Sequence, residues 1–536
     1  MLAAAVANFP NREFLVCGEN RLTFAQADEA SAGLATGLMA LGVGKGSRVG
    51  ILMPNSPDWV LCWLAAARIG ALTVPISTFY STAELTRVLD HADVDTLLMV
   101  DRYVKRDYVK QMETVPGLIG AGRPELAISQ LPYLRHVVVW GKSERTWAKH
   151  GPDHLVQAAA SNRRVDRQVV SSAETRVTPA DDLLIIYTSG STAEPKAVIH
   201  THASVIRLCY ALEASGWADT RPDDRIYGAV PFFWIGGPNS TILPSLFTGA
   251  CVVMSASPGV DEVLDTCARE EVTTINAWGT QLRAITERAT SRGVVLPKLR
   301  LMFDQLDENG QPIPFELIPK PFGMTETFGP HGLEARGTKL PLSKAGAFGR
   351  SLSGMERKVV DPETGRVCAP GEPGELYVRG FSLMRGMYKR LPEDTFDRDG
   401  FYPTGDRCHV DAEGFLYFEG RFGEMIKTSG ANVSPREVEV VLEGFAEIRE
   451  AVVFGVPDVA RGESIVAVVI PTLGAGVDRD RILERLGNEL SDYKVPRFLF
   501  TMDYETIPRT DSSKVKKNQL KELVLEQWTQ LTGTSQ

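Results

Sequence analysis

From Val49 to Val100 the chain alternates short apolar runs with capped helical stretches, and this alternation restricts the fold more than any other feature. Val49 to Met53 reads as a strand. Ser56-Pro57 then supplies an N-cap and a first-turn proline for a helix ending near Gly70, since serine accepts from an orphan N–H and proline has none to lose. Ala71 to Ile76 reads as strand again. Ser81 with Glu84 forms a capping box for a helix through His91, and Val94 to Val100 closes the series as a strand. The order βαβαβ implies parallel strands with helical crossovers, hence an α/β fold. After Gly420 the pattern changes. Ser434 and Glu437 cap a short helix, Ala451 to Val456 and Ser464 to Ile470 are strands, and Asp478 to Leu490 is an amphipathic helix, so a smaller α+β domain is expected there.

A loop follows the apolar run Leu183 to Ile186. Tyr187-Thr-Ser-Gly-Ser-Thr-Ala-Glu-Pro-Lys196 concentrates hydroxyls, one glycine and one lysine. Backbone N–H groups freed by Gly190, the hydroxyls of Thr188, Ser189, Ser191 and Thr192, and the ammonium of Lys196 can together surround a polyphosphate. A nucleotide triphosphate is the first ligand this suggests. The Walker pattern is absent, because Pro195 occupies its second glycine position and Ala197 follows the lysine, removing an amide donor and a magnesium-ligating hydroxyl. By composition alone the segment reads as a Ser/Thr-rich surface loop, so the decision falls to distant motifs.

With 536 residues and 43% hydrophobic content, the chain is long enough for a large core and a second domain. A net charge of -9 with scattered basic residues argues against a nucleic-acid partner. The 7 cysteines include no C-x-x-C pair, which points away from a disulfide framework or zinc site and toward a reducing cytoplasm. Met1 to Ala7 is apolar but is followed by Asn8 and Pro10 and lacks a basic start, so it reads as a helix edge and neither as a signal peptide nor as a transmembrane segment. Self-association into a homo-oligomer is left open.

Distant motifs agree with the nucleotide reading. Gly70-Ala-Leu-Thr-Val-Pro75, the phosphate loop, Phe322-Gly-Met-Thr-Glu326, Gly374-Glu-Leu-Tyr-Val-Arg-Gly380, Tyr402-Pro-Thr-Gly-Asp406, Gly420-Arg421, Ile426-Lys427 through Asn432-Val433, and Pro508-Arg-Thr510 through Lys514 follow one another in order. In that order they resemble the adenylate-forming superfamily of acyl-CoA synthetases, aryl-CoA ligases and luciferases, over residues from about Leu22 to Lys517. The resemblance implies an N-terminal domain of residues 1–419 that binds ATP and the acid. A mobile C-terminal domain of 420–536 would turn about a hinge near 420–423, where Gly423 replaces a commoner Asp or Lys.

The resemblance also assigns roles. Lys514, Thr188, Glu326 and Lys427 are the implied catalytic residues. A carboxylate must attack the α-phosphate of ATP, and at about 4 Å their repulsion is roughly 1 kcal/mol in water and about 4 at an effective dielectric of 20. Lys514 is the cation expected at that junction. Thr325 is expected on phosphate and Glu326 on Mg2+; Asp406 and Arg421 are expected on ribose, and Phe322 on adenine. Gly323 is assigned to both the nucleotide and the acid. CoA is implied because Lys427-Thr-Ser-Gly430 matches the loop beside the pantetheine path, with Gly430 at its turn.

Phe232, Phe233 and Trp234, in Pro231-Phe-Phe-Trp-Ile-Gly-Gly237, correspond to the motif lining the acid pocket. No aspartate stands there to hold a substrate ammonium, which favours a neutral apolar acid, whether aromatic, alicyclic or fatty, over an amino acid. Core packing is the competing role for these rings. The chain departs from the superfamily pattern at Ala193, Ala197 and Ser513, and in the proline-rich stretch 301–321 before Phe322. The expected activity is that of an ATP-dependent carboxylic acid–CoA ligase. An acyl-AMP ligase loading a carrier protein and a weakly catalytic nucleotide-binding homologue are the alternatives.

Overall fold

The computed structural model describes residues 1–120, 126–162, 164–188, 196–277, 279–300, 305–307, 310–422, 425–472, 474–508 and 515–532. They divide into two compact units. The larger comprises Met1–Thr78, Arg87–Tyr187 and Ala197–Phe422; the smaller comprises Phe79–Thr86, Thr188–Lys196 and Gly423–Gln536.

Local signals in the sequence are realised where expected. Ser56 Oγ accepts from Trp59 N at 3.2 Å to start helix Pro57–Arg68. Ser81 and Glu84 form both bonds of the capping box before helix Thr82–His91. Strands Arg48–Leu52, Leu72–Pro75 and Thr96–Val100 pair in parallel, with Arg48–Leu52 in the middle. They belong to an eight-stranded sheet that continues through Asp182–Thr188 and Lys196–Thr201 on one side and His136–Trp140 on the other.

A second, five-stranded sheet runs parallel through Thr274–Asn276, Arg225–Gly228, Cys251–Met254 and Glu13–Cys17, and closes antiparallel on Asn20–Thr23. The main apolar cluster of this unit includes Phe14, Phe24, Leu38, Trp59 and Phe232. Each such side chain, fully buried, stabilises by about 1.5–3 kcal/mol. A third sheet, Met355–Val360, Gly374–Gly380, Tyr402–Val410 and Leu416–Arg421, is antiparallel throughout.

In the smaller unit, strands Ile448–Asp458 and Gly462–Pro471 form a long antiparallel pair, and Phe498–Thr501 adds in parallel. Side chains alternate between two cores. Ala451 and Val453 face the cluster with Val438, Leu442, Ile482 and Leu486, whereas Val452, Phe454 and Val456 face Leu520 and Val524. Ser434 and Asp478 cap helices Pro435–Glu443 and Arg479–Glu489. Also in this unit, Lys494 Nζ lies 2.7 Å from Glu84 Oε1 and 2.9 Å from Glu437 Oε1, all three side chains being nearly inaccessible to water. The protein is α/β, with a large N-terminal domain of parallel-rich sheets and a small C-terminal α+β domain. No described helix is long and apolar enough to cross a membrane.

Candidate active site

Strand Tyr402–Val410 organises the site in the larger unit. Its alternating burial puts Tyr402, Thr404, Asp406 and Cys408 on one covered face, as the two-residue period requires. Asp406 is 5% exposed, and its backbone N–H donates to Thr404 Oγ1 at 3.1 Å. Arg421 lies opposite Asp406 in the ladder with strand Leu416–Arg421, so the backbone brings the two expected ribose contacts to facing positions.

The Tyr402 hydroxyl donates to Glu326 Oε1 at 3.0 Å. Glu326 is 7% exposed and sits in the single 3-10 turn Thr325–Thr327. Two further bonds hold that turn. Met384 N–H donates to Glu326 O at 2.7 Å, and His200 Nε2–H donates to Thr325 O at 2.7 Å. Burial lowers the His200 pKa to about 4, opposed only in part by the bond to Thr325, so its ring is neutral.

Phe322 precedes the turn in strand Phe322–Met324, which forms a hairpin with Gly329–Gly332. Its half-buried ring meets His331, Phe348 and Phe418 at centroid distances of 5.5, 5.0 and 5.6 Å. Gly323 is held to glycine by that hairpin, since a Cβ there would come within 2.2 Å of Gly329 O. Phe322, Gly323, Thr325, Glu326 and Asp406 are thus gathered around one strand and its neighbours.

The three aromatic residues of the acid motif differ in placement. Phe232 is fully buried, packs on Trp59 at 5.4 Å, and donates its N–H to Asn55 Oδ1 at 2.7 Å. Phe233 is 4% exposed and meets the half-buried Trp234 edge-on at 5.5 Å. The motif leads into a short π-helix, Pro238–Ile242, a form that frequently marks functional sites.

Thr188 ends strand Asp182–Thr188 and Lys196 begins the neighbouring strand Lys196–Thr201; both are half-buried. Ser189, Gly190, Ser191 and Thr192 lie outside the described residues, as do Gly423, Ser513, Lys514 and the Arg421 side chain. In the smaller unit Lys427 is exposed on strand Ile426–Thr428, and its N–H donates to Glu463 Oε2 at 2.6 Å. The two-residue turn that follows has positive φ at both Ser429 and Gly430, 50° and 83°, as a tight hairpin of this hand requires.

A hard oxygen donor at Glu326 fits Mg2+. Among the described residues no group of three or more His, Cys, Asp or Glu could hold a metal. Magnesium that keeps water and shares phosphate oxygens needs only one or two carboxylates, so this donor set suits it. Sequence reasoning passed over Tyr402 and His200. The available signal for Tyr402 was its place four residues before Asp406, on the same face of a strand.

The family description "AMP-binding enzyme" matches residues 2–388, and "AMP-binding enzyme C-terminal domain" matches 437–514. Among curated proteins, the chain is 28% identical to the indoleacetate–CoA ligase of Aromatoleum aromaticum over 527 residues, 96% of each protein. It is 29% identical to a feruloyl-CoA synthase of an Amycolatopsis species over 516 residues, 94% of each. Among solved structures, o-succinylbenzoate CoA synthetase of Bacillus subtilis, as a double mutant with a product analogue, aligns with a TM-score of 0.75, 26% identity and 97% coverage of both chains.

The family match and the CoA ligases among its relatives mark the chain as an AMP-forming ligase that joins an acid to a thiol. The chain belongs to the AMP-binding enzyme family, within the adenylate-forming acyl-CoA ligase superfamily.

Proposed function

We propose that the protein activates an apolar carboxylic acid with ATP and transfers the acyl group to CoA. In the first half-reaction a carboxylate oxygen attacks the α-phosphorus, the bond to the β-phosphate oxygen breaks, and acyl-AMP and pyrophosphate form. In the second, the CoA thiol loses its proton, sulfur attacks the acyl carbon, and AMP leaves. The observation that carries this reading is the convergence of Phe322, Thr325, Glu326 and Asp406 around strand Tyr402–Val410.

Phe322 packs on adenine, Gly323 lies beside the nucleotide and the acid, and Asp406 and Arg421 take the ribose. Thr188, Ser189, Gly190, Ser191, Thr192, Lys196 and Thr325 bind the phosphates through hydroxyls, amides and one cation. Glu326 holds Mg2+, which when bound neutralises phosphate oxygens. Lys514 offsets the repulsion between carboxylate and α-phosphate. Residues 1–419 bind ATP and acid, whereas residues 420–536 turn about 420–423 to bring Lys427 and Gly430 to the thiol.

Phe233 and Trp234 bound the acid pocket, and Phe232 supports them from the core. Relatives named for indoleacetate and ferulate favour an aromatic acid over a fatty one. Product analysis with ATP, magnesium and an aryl acid tests the acceptor. The CoA thioester and AMP are expected; a thioester formed only on a phosphopantetheinylated carrier protein would replace CoA with that carrier.

A further inference from the structure

We infer that Tyr402 is a positioning residue that sets the Glu326 carboxylate for the metal–nucleotide complex. The inference rests on the reading of Glu326 as the magnesium ligand. Tyr402 is 5% exposed, its ring meets Phe396 edge-on and belongs to the buried cluster that includes Val198, Val378, Met384 and Leu416, so the hydroxyl is held where Glu326 Oε1 receives it at 3.0 Å. Glu326 in turn is fixed at its backbone by Met384, from the same cluster.

A buried carboxylate can rotate about its last bond unless something takes one of its oxygens. Here Tyr402 takes Oε1, and no described residue donates to Oε2. The carboxylate therefore offers one defined oxygen to a hard cation instead of two interchangeable ones. Outer partners of ligating carboxylates commonly change metal affinity about 10- to 100-fold when removed. The hydroxyl acts on the carboxylate, so Tyr402 contributes through Glu326 and not as a ligand.

The test is a double-mutant cycle of Tyr402→Phe and Glu326→Gln, read by Mn2+ binding in the presence of saturating ATP, using electron paramagnetic resonance, and by the magnesium concentration that half-saturates the reaction. Tyr402→Phe keeps the ring, and the melting temperature confirms that each variant is folded. Mn2+ affinity in Tyr402→Phe should fall about 10- to 100-fold, and the same substitution made in the Glu326→Gln background should cause no further loss. Unchanged Mn2+ affinity in Tyr402→Phe, alongside weakened binding in Glu326→Gln, overturns the positioning role alone. An equal loss from Tyr402→Phe in both backgrounds overturns it too. Unchanged binding in Glu326→Gln overturns the ligand reading beneath it.

Discussion

His200 Nε2 lies 2.7 Å from the carbonyl oxygen of Thr325, tying the turn that carries Glu326 to a strand that begins at Lys196. A neutral imidazole can make this bond as a donor while buried, and the same burial makes the residue a source of acid sensitivity. The unfolded chain takes up a proton near 6.5, but the folded one does so only near 4, so His200 leaves stability intact above 6.5 and erodes it as pH falls toward 4. The span corresponds to about 3 kcal/mol. Burial lowers the pKa of His202 to about 4 as well, and that of His331 well below its usual value. Denaturant melts between pH 7 and 4 should show a steep loss of stability that is shallower in His200→Gln. An unchanged slope in that variant contradicts the assignment.

How legible these relationships were depended on their range. The caps at Ser56, Ser81, Ser434 and Asp478 each involve a residue three positions away, and the sequence displays both partners together. The antiparallel sheet from Met355 to Arg421 was harder to read, because the covered face of strand Tyr402–Val410 carries Thr404 and Asp406, so its two-residue burial period does not show as an apolar alternation. Within the site, Glu326 and Asp406 could be named from motifs. That Tyr402 meets Glu326 depends on how a hairpin docks on that sheet, which spacing along the chain does not encode. Phe232, Phe233 and Trp234 look alike in sequence; complete burial and the contact with Trp59 mark Phe232 as core.

That contact separates two substitutions. Phe232→Ala should destabilise the protein by about 3–5 kcal/mol in urea melts, because a fully buried ring is lost. Trp234→Ala, which removes a half-buried ring, should lower the midpoint less and raise kcat/KM for bulkier acids relative to smaller ones. Equal stability losses in both would remove the distinction.

Lys494 sits between Glu84 and Glu437 in the smaller unit. Burial alone would lower its pKa, but Tyr493 and the two carboxylates raise it well above the ordinary lysine value. Lys494→Met should cost about 3–5 kcal/mol by stranding two buried carboxylates. Adding Glu84→Gln and Glu437→Gln should restore part of that loss, as measured by chemical denaturation. A single variant as stable as the parent would show the cluster to be energetically silent.

Lys514→Ala should slow acyl-AMP formation about 10²- to 10³-fold, since the proposed reaction uses its charge where carboxylate meets phosphate. Thioester formation from supplied acyl-AMP should change far less. Single-turnover assays of the two half-reactions check this, and equal losses in both would remove Lys514 from that junction.

The most direct measurement is acid-dependent exchange of labelled pyrophosphate into ATP across aromatic, alicyclic and fatty acids, with CoA omitted. Exchange requires reversible acyl-adenylate formation, so it tests the activation step without depending on the acceptor. The account predicts exchange that needs both magnesium and an apolar acid, is strongest with an aromatic acid, and is severely reduced in Lys514→Ala and Glu326→Gln. ATP binding without exchange for any acid in the panel would contradict it and leave a nucleotide-binding protein without the ligase reaction.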